Sequence, residues 1–170
     1  VPLTYISPTD APEESRLTLL NTDRFYEMAL DRLAERGRRN IALLSRMTPA
    51  DAVTQRFLDE CERRGLCSAR RFVQFVGLRP AAAARHAAEL LVGDARRPQI
   101  DGLVIDDDHL IKQTSAGLLA AGVTTPRDVH VVAHANFPEA IEAITPTDLL
   151  GFDLDELVGA SIKLLRDAKP

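Results

Sequence analysis

The 170-residue sequence has no tryptophan, only two cysteines and two methionines, and no apolar run approaching a membrane span. A helix crossing a bilayer needs about 20 largely apolar residues, so no membrane partner is expected. The start has no signal-peptide pattern, and with Val1 in first place the chain reads as an excised piece of a longer protein. Cys61 and Cys67 lack histidines at ligand spacing, so they read as reduced thiols of a cytoplasmic protein rather than metal ligands. No segment is strongly basic, and the net charge is −4. Gripping DNA phosphates takes clustered Lys and Arg, so this chain is not expected to grip DNA by itself. Gly-x-Ser-x-Gly, Walker A, Gly-x-Gly-x-x-Gly and His-Glu-x-x-His motifs are all missing. No catalytic residue, metal site or cofactor is therefore expected, and the chain does not read as an enzyme.

What is present is an ordinary globular composition, 45% hydrophobic and 27% charged, enough to build a core. Gly37, Gly65, Gly93 and Gly122 recur at intervals of 28, 28 and 29 residues, each after a helix-like stretch and before a strand-like one. That interval fits one strand–helix unit, with glycine ending the helix in a left-handed conformation. Helices are expected over about 22–36, 80–92, 108–121 and 155–167, and strands over about 40–45, 71–76, 102–106, 128–133 and 149–154. A further helix is expected to start at Thr48-Pro49-Ala50-Asp51, where Thr48 can cap and Asp51 complements the dipole. Phe25, Met28, Ala29 and Leu33 fall on one face of the first helix; Val53, Phe57 and Cys61 follow at spacing four on the second. Strands alternating with helices imply a parallel sheet covered on both faces, a three-layer α/β/α fold.

In such sheets ligands sit beyond the carboxyl ends of the strands. The residues there are Ser45-Arg46-Met47-Thr48, with Arg56 in the next helix, then Asp106-Asp107-Asp108-His109, then His134-Ala135-Asn136-Phe137. Arg offers a fork of donors and Asp accepts from hydroxyls, so this set suits a polar, hydroxyl-rich or charged small molecule. Each residue also has a plainer role. Arg56 suits a surface helix face; the aspartates can cap the following helix, Asp108 foremost; His134 suits a partly buried position; His86 and His109 suit solvated helix positions. A magnesium-binding receiver domain would need an acidic pair after the first strand, and Ile41-Ala42-Leu43-Leu44-Ser45-Arg46 ends without one.

The order of these features resembles the effector-binding domain of lac repressor-type (LacI family) transcriptional regulators, which have a type I periplasmic-binding-protein-like fold. Val1-Pro2-Leu3-Thr4-Tyr5-Ile6 looks like that family's opening strand. Leu33-Ala34-Glu35-Arg36-Gly37-Arg38-Arg39-Asn40-Ile41-Ala42-Leu43-Leu44 is similar to its "L…GHrrIall" segment. Arg56 falls on the arginine of an "R-x-x-G" helix. Residues 102–108 resemble a strand and turn ending "nD", and 122–133 resemble "G…vP.disvvg". Three positions depart from the pattern. Arg38 replaces the histidine of "GH", Asp59 the glycine after Arg56, and Ala135 an effector-binding aspartate, with Asn136 next to it.

The resemblance implies an effector site of Arg56, Asp107, Asn136, Asp23 and Phe152, with a sugar-like or other polar metabolite as ligand. It implies residues 1–38 in an N-terminal lobe, 39–147 in a C-terminal lobe and 148–170 returning to the first. It further implies a cytoplasmic homodimer whose lobe closure changes operator binding through a separate N-terminal headpiece. A solute-binding protein or a receptor-coupled sensor of the same fold is the alternative, told apart by whether a helix-turn-helix or a signal peptide precedes Val1.

Overall fold

A computed structural model describes residues 4–7, 16–19, 22–46, 51–76, 81–94, 96 and 98–167. Among these residues there are two parallel sheets. The smaller pairs β1 (Thr4–Ser7) with β2 (Arg16–Leu19). The larger contains β3 (Ile41–Ser45), β4 (Val73–Phe75), β5 (Gly102–Ile105), β6 (His130–Phe137) and β7 (Asp148–Asp153). Its order is β4-β3-β5-β6-β7, all parallel. The chain leaves β3 toward β4 on one side and returns to β5 on the other, so the strand order switches between β3 and β5.

Strand alternation sorts the side chains into two cores. On one face Ala42, Leu44, Leu103, Ile105, Val131 and Ala133 pack against α3 (Ala81–Val92) and α4 (Ile111–Ala120). On the other, Ile41, Leu43, Val104 and Val132 pack against α1 (Thr22–Glu35) and α2 (Asp51–Arg63). The three-layer α/β/α arrangement expected from the sequence is present. Each fully buried Leu, Ile or Phe of these cores contributes roughly 1.5–3 kcal/mol. The four repeating glycines have φ between 65° and 77°, so each ends its helix or turn as their spacing suggested.

Several boundaries differ from the sequence expectation. Helix α1 buries Phe25, Tyr26, Ala29, Leu30 and Leu33, while Met28 is exposed at the rim of the sheet. This packing puts α1 on the five-stranded sheet. Strand β7 also joins that sheet, through β6. Helix α5 (Leu154–Arg166) after it lies against β1 and β2. On α2 the buried residues are Thr54, Phe57 and Cys61, with Val53 half-buried. The cap expected at Thr48 lies outside the described residues. The fourth strand runs to Phe137 rather than ending at Ala133, because β7 supplies partners for residues 132–137. Among the described residues no helix is long and apolar enough to cross a membrane.

Candidate functional site

The longer β6 decides where the site lies. His134 and Asn136 share the parity of Val132, which faces α1, and Phe152 shares the parity of Leu150 on β7. All three therefore project on the α1 side, at the carboxyl ends of the strands. There a cavity of about 240 Å³ is lined by Thr22, Phe25 and Tyr26 of α1, the run Asp106 to His109 after β5, His134, Asn136 and Phe152. A second hollow beside it shares Phe25 and Phe152 and adds Arg24, Met28, Leu150 and Gly151.

The acidic run after β5 divides its labour. Tyr26 donates a 2.7 Å hydrogen bond to Oδ2 of Asp106. Burial pushes the Asp106 carboxyl above the usual range, against hydrogen bonds from Ser45, Tyr26 and the Arg46 backbone. Burial likewise drives the Tyr26 hydroxyl far up, with Asp106 adding to the effect, so Tyr26 stays a neutral donor. Asp107, not Asp108, caps the next turn: its Oδ1 accepts from the His109 backbone N–H at 3.0 Å. Its Oδ2 lies 3.3 Å from Nε of Arg46. Asp108 starts the 3-10 turn 108–110 that leads into α4, and at 7% exposure its side chain turns inward. The Asn136 amide donates to its Oδ2 at 2.8 Å, and Nδ1 of His109 lies 2.7 Å from its Oδ1. Asp107, Asp108 and His109 each bring one donor atom within 4.8 Å of the others.

An aromatic wall closes the other side. The His134 ring sits 5.3 Å from Phe25 and 5.1 Å from Phe152, centroid to centroid. Its Nε2 is buried and has no hydrogen-bond partner. Burial lowers its pKa, outweighing Asp108 and Asp107, so the imidazole is neutral near pH 7.

Of the expected site residues, Asp107, Asn136 and Phe152 meet around this cavity. Arg56 and Asp23 are not among its described lining residues; they form an exposed ion pair with each other, between α2 and α1. Ala135, at the position of the missing aspartate, is fully buried, and Asn136 reaches the cavity in its place. His109 is exposed, as expected, yet its ring faces both carboxylates. Sequence reasoning missed Phe25 and Tyr26 as site residues. Helical spacing marked Phe25 only as part of an apolar face and did not single out Tyr26, and nothing local signals that Tyr26 meets a residue eighty positions away.

Comparison with curated proteins finds no match. Solved structures do match in fold. A LacI family transcriptional regulator from Lactobacillus casei with bound glucose is 24% identical, with a TM-score of 0.78 over 95% of this chain and 62% of that one. A LacI family regulator from Arthrobacter sp. FB24 in complex with lactose is 21% identical, with a TM-score of 0.77 over 98% and 62%. One from Clostridium acetobutylicum is 18% identical, with a TM-score of 0.79 over 99% and 64%. The chain thus spans less than two thirds of the proteins it resembles. A family model, the periplasmic binding protein-like domain, matches residues 30–167. By that match, the chain belongs to the periplasmic binding protein-like domain family.

Proposed function

We propose that the chain is the effector-sensing part of a LacI-type transcription regulator. The observation that carries this reading is the cavity at the strand ends. Its aromatic wall and hydrogen-bonding floor suit a polar small molecule, and it lies beside the point where the strand order switches. The solved relatives support it, since glucose and lactose are bound to regulators of this fold.

In this reading Asp107 and Asn136 bond the effector while Phe152 packs against it. Arg56 joins them once its pair with Asp23 opens. The five-stranded sheet is the core of one lobe; β1, β2 and α5 belong to the other. Effector favours the closed arrangement of lobes, and closure repositions two subunits of a cytoplasmic homodimer. Operator affinity then changes because each subunit carries a DNA-reading head outside this sequence. Asp107, Asp108 and Asp106 serve binding rather than turnover.

The test uses the intact protein that contains this chain. Sugars including glucose and lactose are titrated by calorimetry, and operator binding is read with and without them. A saturable titration that shifts operator affinity is the expected result. Failure of the intact protein to bind any operator at low salt would sink the regulator reading.

A further inference from the structure

We propose that this cavity selects an organic cation, a hydroxylated primary amine of the amino-sugar class, over a neutral sugar. The inference rests on the effector-site reading above and names the ligand class. The described lining carries three carboxyl groups, two imidazoles, an amide, a phenol and two phenyl rings, and no lysine or arginine.

The arginines nearby are each paired with a carboxylate: Arg46 with Asp107, Arg56 with Asp23, and Arg24, in the adjoining hollow, with Glu27. In this arrangement none of them is among the described residues that line the cavity. Asp108 differs from its two neighbours. Asp106 is buried against Tyr26, and Asp107 has Arg46. Asp108 is buried with a neutral amide and an exposed imidazole as its described partners. A carboxylate withdrawn from water is costly without a full cationic partner, and a ligand ammonium supplies one.

A further feature points to the same chemistry. Phe25 and Phe152 form an aromatic wall, which attracts cations through the ring quadrupole and also covers the apolar face of a sugar ring. Between them Nε2 of His134 is buried without a hydrogen-bond partner, so a ligand hydroxyl or amine reaches it only where the rings beside it part. Carboxylate and aromatic wall thus converge on a cavity of about 240 Å³.

The experiment is calorimetry and thermal-shift measurement on the intact protein, in slightly acidic buffer that keeps amines protonated. The probes are glucosamine, galactosamine and mannosamine, their neutral parent sugars, their N-acetyl forms, and magnesium or calcium chloride alone. At least one amine is expected to bind about tenfold or more tighter than its parent sugar, a difference near 1.4 kcal/mol. The N-acetyl form should lose that gain, and Asp108→Asn should abolish it. If Asp108→Asn does not fold, the wild-type comparison of amine with N-acetyl form decides alone. Parent sugars binding as tightly as the amines would overturn the cation inference and leave the effector reading standing. Divalent metal binding in preference to every amine would also overturn it. No binding by any probe would overturn both.

Discussion

The hydroxyl of Tyr26 on α1 bonds Oδ2 of Asp106 at 2.7 Å, pinning the helix to the end of β5 at the floor of the cavity. The bond joins the two sides of the site, so its loss should be felt in stability and in binding.

Tyr26→Phe keeps the ring packing and removes the donor. Asp106 keeps its bonds from Ser45 and the Arg46 backbone but loses one of its buried partners, at a cost of about 1–3 kcal/mol. The melting temperature should fall by several degrees, and effector affinity should weaken with it. An unchanged melting curve would contradict this account.

Asp148 links three elements. Nε2 of the buried His130 lies 3.1 Å from its Oδ2, and Arg32 of α1 donates to the same oxygen at 3.2 Å. Burial alone would raise its carboxyl, but His130 and Arg32 outweigh that and hold it below the usual value. The unfolded chain therefore binds more protons in this window. The stabilisation is complete above the ordinary carboxylate pKa and is lost as pH falls through the folded one. Asp106 has the opposite sign: its raised carboxyl costs stability as pH climbs past the ordinary value. In urea unfolding followed against pH, Asp148→Asn should flatten the loss of stability below about pH 4.

Gly151 on β7 sits opposite Ala135. An added Cβ would lie 1.7 Å from the Ala135 carbonyl oxygen, so the β6–β7 pairing must shift. Gly151→Ala should cost about 1–3 kcal/mol and displace the adjacent Phe152 from the cavity. Gly159, in α5, has open space around its Cβ position. Gly159→Ala should instead stabilise by about 0.5–1 kcal/mol. Denaturant midpoints of the two variants should move in opposite directions.

The two thiols differ in accessibility. Cys67 is exposed; Cys61 is buried, and burial pushes its thiol up to about 12 despite Arg64 nearby. A disulfide reagent at mildly alkaline pH should label Cys67 in the native protein and both residues after denaturation. Rapid native labelling of Cys61 would contradict the packing of α2 on the sheet.

The architecture was legible in local sequence because each unit closes on its own signals. The glycines 28 or 29 residues apart all adopt the left-handed conformation that ends a helix. Apolar stretches such as Ile41-Ala42-Leu43-Leu44 can be buried on both faces only inside a covered parallel sheet. The same logic placed Asp107 and Asn136 at strand ends, where ligands bind.

What only the tertiary structure decided is which side chains meet there. Asp106, Asp107 and Asp108 are chemically alike in sequence, and they part company through neighbours distant along the chain. Tyr26 takes the first, Arg46 the second and Asn136 the third. Arg56 and Asp23 looked like separate contacts and became each other's partners, because α1 and α2 pack side by side on one face. Phe25, His134 and Phe152 form one wall only because β7 extends β6 and α1 lies across both. Periodicity and turn chemistry act within a few residues and so determine the layers; burial and pairing across the sheet act between elements and so determine the site.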